Sequence, residues 1–135
     1  MKKTLSLLAL LTFSSFVSAQ EVKFDEDKVL IDKTERFSFN RKSLGEEFSL
    51  YKLNTKDEII YMALDRNGTQ QYQADDYKRF TFLESKTVIE SSRLKFTGWK
   101  AIIKLLLEDK VLDLDGTINT ENLAKFAAKY NDVKN

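Results

Sequence analysis

The chain lacks both histidine and cysteine across its 135 residues. Their absence excludes Ser-His-Asp and Cys-His nucleophilic sites, and it excludes zinc and copper sites built on imidazole or thiolate. An enzyme of this composition has only carboxylates, lysine, tyrosine or serine for its chemistry. Because no disulfide can form, the fold depends on its hydrophobic core alone.

Proline is also absent, and the chain has only four glycines. Turns must therefore come mostly from Asn, Asp and Lys clusters, and no proline-rich or low-complexity linker divides the chain. Eight of the ten phenylalanines, the five tyrosines and the one tryptophan lie beyond residue 19 and supply the large apolar side chains that a core without disulfides needs.

The first 19 residues have the three parts of a cleavable signal peptide. Lys2 and Lys3 give a positive start, residues 5–17 carry no charge, and small residues lead to Ala19. The apolar stretch is shorter than the roughly 20 residues that span a bilayer. We expect cleavage after Ala19, a periplasmic or secreted protein, and no membrane insertion after cleavage.

The remaining chain, residues 20–135, is predicted to be a single domain. Removal of Lys2 and Lys3 takes two of the 22 basic residues and none of the 21 acidic ones. No basic excess remains to neutralise phosphates, so nucleic acid is not an expected partner.

Apolar spacing divides this domain into two parts. From about residue 22 to 92 the apolar residues alternate, as Phe37 and Phe39 do, which predicts strands. Beyond residue 97 the spacing becomes helical and predicts helices at about 98–109 and 119–131. The expected fold is α+β, an antiparallel five- or six-stranded β-meander followed by two C-terminal helices packed on one sheet face.

The segment 111–122 joins the two predicted helices. Within it, Asp113, Asp115, Gly116 and Asn119 lie at positions three, five, six and nine of a twelve-residue loop. Hard oxygen ligands around a glycine turn are what calcium requires. On these residues the loop partly resembles the EF-hand and dockerin calcium loops, which implies calcium as a cofactor held by Asp113, Asp115 and Asn119.

Two departures weaken that resemblance. Position one, normally Asp, is Val111, and position twelve, normally a bidentate Glu, is Asn122. The alternative is a plain connection without any cofactor, in which Asp115 and Gly116 form a turn and Asn119 caps the second helix.

Adjacent carboxylates occur at Glu46-Glu47 and at Asp75-Asp76. Hydrolases of envelope polymers can work with two carboxylates alone, so these pairs are candidates for such an activity. Adjacent carboxylates in polar loops are more often simply solvated, and that is the interpretation we favour.

In outline, the signal ending in Ser18-Ala19-Gln20, the short meander and the closing segment 112–126 resemble the small exported proteins of unknown function that are frequent in Bacteroidetes-type bacteria. The resemblance implies an envelope location and supplies no activity. We expect a non-catalytic envelope module that binds a protein or an envelope component, and the alternative is a carboxylate-only hydrolase acting on an envelope polymer.

Overall fold

The computed structural model describes residues 20–68 and 73–133, so the predicted signal peptide lies outside the described residues. Within those ranges seven strands precede two helices. They are β1 Val22–Asp25, β2 Lys28–Ile31, β3 Thr34–Lys42, β4 Glu47–Lys52, β5 Glu58–Asp65, β6 Tyr77–Phe82, β7 Thr87–Ser91, α1 Trp99–Glu108 and α2 Thr120–Tyr130. The predicted α+β class is confirmed, and the strand count is seven rather than five or six.

The strands follow one another across a single antiparallel sheet in the order β1 to β7. The strand that the sequence analysis missed is β1, whose Val22 lies opposite Ile31 of β2. Its turn to β2 contains no glycine, and Glu26 adopts a φ of 54° there. A four-residue strand before a turn without glycine gives little sequence signal, which explains the miscount.

Both helices pack on the same face of the sheet. Helix α1 buries Ile102, Ile103, Leu106 and Leu107, and α2 buries Leu123, Phe126 and Tyr130. These residues join one core with the inward side chains of six strands, namely Val29, Ile31, Phe37, Phe48, Leu50, Ile60, Met62, Phe80, Phe82 and Ile89. Neither helix is long and apolar enough to cross a membrane, as far as the described ranges show.

A β-bulge adds one residue to the core at the start of β5. Leu50 pairs with Ile60, but Tyr51 pairs with Glu58, so Ile59 is the extra residue. Ile59 and Ile60 are both buried even though they are neighbours in a strand. A bulge allows this because it bends the strand and disturbs the alternation of side chains.

A row of aromatic rings links the early strands to α1. Phe39 stacks on Phe48 with ring centroids 5.1 Å apart, and Phe24 lies 4.7 Å from Phe39. Phe48 in turn lies 5.7 Å from Trp99 in the first turn of α1. The Trp99 indole N–H donates to the Gly45 carbonyl at 2.7 Å, which ties α1 to the turn between β3 and β4.

The segment after α2 returns to the edge strand β7. The Glu90 N–H donates to Asn131 Oδ1 at 2.9 Å, and the Asp132 N–H donates to the Glu90 carbonyl at 3.0 Å. The Ser92 N–H donates to Asp132 Oδ1 at 2.8 Å. Residues 131–133 therefore occupy part of the outer edge of the sheet.

Truncation of Phe48 tests how far the core depends on the aromatic row. We expect Phe48→Ala to lower the free energy of unfolding by about 3–5 kcal/mol, because it leaves a cavity between Phe39 and Trp99. The matched control is Leu44→Ala at a fully exposed side chain, with an expected change within about 0.5 kcal/mol. Urea denaturation followed by tryptophan fluorescence measures the free energy of unfolding of both variants. Equal losses in the two variants would contradict a central role of Phe48 in the core.

Candidate functional site

The loop between the helices is a tight turn held by its own backbone. The Asp113 N–H donates to the Thr117 carbonyl and the Gly116 N–H donates to the Asp113 carbonyl, both at 2.9 Å. Gly116 has a φ of 90°, a conformation that favours glycine. A short bridge between Leu112 and Ile118 closes the base of the turn.

Two of the three predicted calcium ligands have structural partners. A carboxylate oxygen of Asp115 accepts the Thr117 N–H at 3.0 Å, and this backbone hydrogen bond lowers the pKa of Asp115. Asn119 Oδ1 accepts the Asn122 N–H at 2.9 Å and so caps α2. Asp113, like the other two, is exposed.

The described residues contain no group of three or more acidic side chains placed to hold a metal ion. Calcium binding by Asp113, Asp115 and Asn119 stays a prediction. It competes with the capping bond for the Asn119 oxygen, because that atom already accepts a backbone N–H.

Replacement of Asn119 separates capping from calcium binding. We expect Asn119→Ala to lower the free energy of unfolding by about 1 kcal/mol through loss of the cap. The loss should be the same with calcium and with a chelator, measured by calorimetry. A larger loss in calcium would show that the loop binds the ion.

One member of each candidate carboxylate pair, Glu46 and Asp76, lies at Arg66, at the end of the sheet where β6 begins. The Arg66 guanidinium donates to both oxygens of Glu46, with a shortest distance of 2.7 Å between Nη2 and Oε2. This bond is the main reason that the pKa of Glu46 lies below its usual value. The opposite side of the guanidinium, Nη1, lies 4.0 Å from Asp76 Oδ2.

Asp76 is not solvated as we expected for a carboxylate in a polar loop. Its side chain is only 4% exposed, and its Oδ1 has no hydrogen-bond partner in the described part of the chain. Asp75 beside it is half-buried. The expectation of a solvated carboxylate was wrong for Asp76. Its side chain lies on the helix-covered side of the sheet, next to Arg66, which follows the end of β5.

The sheet face opposite the helices carries two sets of hydrogen-bonded polar side chains. We call it the open face and define it by Glu47 of β4, Tyr61 and Asp65 of β5, Tyr77 and Arg79 of β6, Thr81 of β6, and Val88 and Glu90 of β7. Arg79 donates to Asp65, and its Nε donates to Glu90 Oε2 at 3.2 Å. The Tyr77 hydroxyl donates to Asp65 Oδ2 at 3.0 Å.

A second set of bonds on the open face centres on Glu47. The Tyr61 and Ser43 hydroxyls both donate to its carboxylate. These donors lower the pKa of Glu47, with the Ser43 bond the larger cause. The same carboxylate raises the pKa of Tyr61 to about 12.

These contacts lower the pKa values of two carboxylates of the open face, Glu47 and Asp65. Burial is the largest single influence on the pKa of Asp65 and raises it, but hydrogen bonds from Asn67 and Tyr77 together with the Arg79 charge outweigh burial, so this pKa is lowered. A general acid needs a carboxyl whose pKa is raised. Glu46, Glu47 and Asp65 are therefore suited to accept hydrogen bonds and not to donate a proton at neutral pH.

A buried lysine lies on the opposite, helix-covered face. Lys78 is 5% exposed, its ammonium donates to the Thr97 carbonyl, and its Nζ lies 4.6 Å from the centroid of the Trp99 ring. Burial lowers the pKa of Lys78 to about 8. Strand alternation places Lys78 on the same face as the buried Phe80 and Phe82.

The lowered pKa of Lys78 predicts a specific dependence of stability on pH. The unfolded chain binds this proton up to about pH 10.5 and the folded chain only up to about pH 8, so deprotonation favours folding between those values. We expect the free energy of unfolding of the wild type to rise, relative to that of Lys78→Met, as pH increases from about 8 to about 10.5. Chemical denaturation at a series of pH values measures the difference.

The control for this pH series is Lys56→Met, at an exposed turn between β4 and β5. Its stability should follow that of the wild type in parallel across the same range. A flat difference between wild type and Lys78→Met would show that the ammonium is not desolvated in the folded chain.

Comparisons with protein-family models, with curated proteins and with solved structures found no match.

Proposed function

We propose that this chain is a non-catalytic binding module and that the open face of its sheet contacts a protein or a component of the cell envelope. The observation that carries the proposal is the one-sided arrangement of the helices. Both pack on the same sheet face, while the other face presents Tyr61, Arg79 and carboxylates that are held by hydrogen bonds.

Pre-organised side chains favour binding because their ordering cost is met in the free protein. Arg79 is held between Asp65 and Glu90, so its remaining N–H groups have a defined direction. Tyr61 is likewise fixed by Glu47. Solvated sheet faces are common in antiparallel sheets, but their long charged side chains are usually separate and mobile.

The proposed location follows from the predicted signal peptide. Cleavage after Ala19 places the module in the periplasm or outside the cell, where proteins and envelope polymers are its available partners. The slight acidic balance of residues 20–135 is compatible with such partners and unfavourable for nucleic acid.

The alternative proposal is a carboxylate-only hydrolase, and Asp76 is the observation that favours it. A buried carboxylate with an unpartnered oxygen is costly and is often functional. The test is release of soluble fragments from peptidoglycan or envelope polysaccharide by the purified protein. Release that disappears in Asp76→Asn would replace the binding proposal with this one.

The proposed role of the open face is tested with two substitutions that add long side chains and leave its hydrogen-bonded residues unchanged. Thr81→Lys and Val88→Lys together place two long side chains on neighbouring strands, at half-buried and exposed positions. The matched control is Ala124→Lys with Ala128→Lys, which adds the same residues at exposed positions of α2. Circular dichroism checks that both double variants are folded.

We expect immobilised wild type to retain a defined component from an envelope extract of the source bacterium, and the α2 control to retain it equally. The open-face variant should lose at least about tenfold in affinity, a cost of about 1.4 kcal/mol. Equal retention by both variants, or no retained component at all, would contradict the proposal.

A further inference from the structure

Two large apolar side chains are exposed at the end of the molecule where α1 begins. Leu44, in the turn between β3 and β4, is fully exposed, and Phe96, in the loop between β7 and α1, is 75% exposed. The Trp99 indole joins the two segments, since it donates to the Gly45 carbonyl and follows Phe96 by three residues. We call this surface, defined by Leu44, Phe96 and Trp99, the apolar end.

The backbone holds the exposed Leu44 in a conformation that leucine rarely adopts. Ser43, Leu44 and Gly45 have φ values of 55°, 57° and 88°. A positive φ is strained for a residue with a Cβ atom and persists only where surrounding contacts fix the backbone. The Glu46 N–H donates to the Ser43 carbonyl at 3.1 Å, and Trp99 holds the Gly45 carbonyl. The fold gains no burial from this strained leucine, which indicates a contact outside the chain.

Three cationic side chains lie beside the apolar end. Arg41 Cζ and Lys100 Nζ are 4.8 Å and 5.6 Å from the centroid of the Phe24 ring, and Lys95 Nζ is 5.3 Å from that of Phe96. Carbonyl oxygens of the segment before β6 also accept from Lys95. In the described part of the chain none of the three cations forms an ion pair. Their positive charges are therefore available to an anionic partner.

The start of α1 adds to the positive charge of the apolar end. No side chain of the described ranges caps the helix at Gly98, and its first turn contains Lys100 and no acidic residue. A helix N-terminus carries partial positive charge, which usually attracts an acidic side chain. The carboxylates of the adjoining turn do not fill this role, because Glu46 is paired with Arg66 and Glu47 accepts from two hydroxyls. The charges at this end therefore favour an anionic surface.

We propose that the apolar end docks on a membrane surface that contains anionic phospholipid. Leu44 and Phe96 enter the boundary between headgroups and acyl chains, and the cations beside them contact the phosphates. Two separate protruding side chains match a deformable lipid surface, whereas a protein partner would need a hollow at each of the two positions. The strands and helices stay outside the bilayer, so docking is peripheral. The proposal does not depend on the role of the open face.

Binding is measured by sedimentation with vesicles of phosphatidylcholine alone and with vesicles of equal parts phosphatidylcholine and phosphatidylglycerol. The protein is purified after export, and mass spectrometry of its N-terminus confirms that residues 1–19 do not contribute. We expect an association constant on the order of 10⁴ M⁻¹ for the mixed vesicles, comparable to that of one acyl chain. Binding to phosphatidylcholine alone should be at least about fivefold weaker, and added salt should weaken binding to the mixed vesicles.

Trp99 is the only tryptophan of the chain, so its fluorescence reports which end of the molecule docks. Lipids with bromine on their acyl chains quench tryptophan that lies close to them. We expect the mixed vesicles to quench Trp99 when their lipids are brominated. Sedimentation without quenching would assign the membrane contact to another surface and would overturn the proposal.

The apolar requirement is tested with Leu44→Ser and Phe96→Ser combined. We expect at least about tenfold weaker binding to the mixed vesicles, because two apolar side chains no longer leave water. The matched control is Leu83→Ser with Val88→Ser, which removes two apolar side chains that are exposed elsewhere on the surface. Binding by the control should equal binding by the wild type, and circular dichroism checks that both double variants are folded.

The charge requirement is tested with Arg41→Gln and Lys100→Gln combined. We expect at least about fivefold weaker binding to the mixed vesicles, because two contacts with phosphates are lost. The control is Lys56→Gln with Lys86→Gln, which removes the same charge from exposed turns at the other end of the sheet. This control should bind as the wild type does.

Failure of the wild type to bind either kind of vesicle would overturn the proposal, and so would wild-type binding by the serine or the glutamine variant of the apolar end. If the wild type binds no vesicles but retains a soluble protein of the envelope extract that the serine variant does not retain, the apolar end is a protein contact and the lipid proposal is wrong.

Discussion

Contact between Phe48 and Trp99 joins the sheet to the helix layer, and much of the molecule depends on it. The chain has no cysteine, so the two layers are held by packing and hydrogen bonds alone. Trp99 contacts the sheet through its ring, bonds to Gly45 through its indole N–H, and lies over the Lys78 ammonium. One side chain therefore sets the start of α1, the turn between β3 and β4, and the environment of the buried lysine.

In the described part of the chain the helix layer consists of α1 and α2, and this small number determines where the polar groups lie. Both helices are needed to cover one face of a seven-stranded sheet, so the other face must be compatible with water. The chain meets this requirement with cross-strand pairs such as Arg79 with Glu90. The same pairs hold the side chains in place, which is the basis for proposing that face as a contact surface.

Fold class followed from the change in apolar spacing near residue 97, because alternation and helical periodicity are local properties. The cross-strand contacts could not be predicted from local periodicity. Arg66 meets Glu46 across 20 residues of sequence, and that contact depends on the register of β4 and β5, which the β-bulge at Ile59 alters. Asp76 was misjudged for the same reason, whereas the Asn119 cap is local and was recognised as one of two alternatives.

The hydrogen bonds between Glu90 and residues 131–132 affect whether further strands can add to the β7 edge of the sheet. Exposed edge strands are templates on which further strands can add, and that is a route to aggregation. Part of the β7 template is already occupied by the segment that follows α2. Removal of this segment would expose backbone donors and acceptors of β7, so resistance to fibril formation rests partly on a few residues outside every regular element.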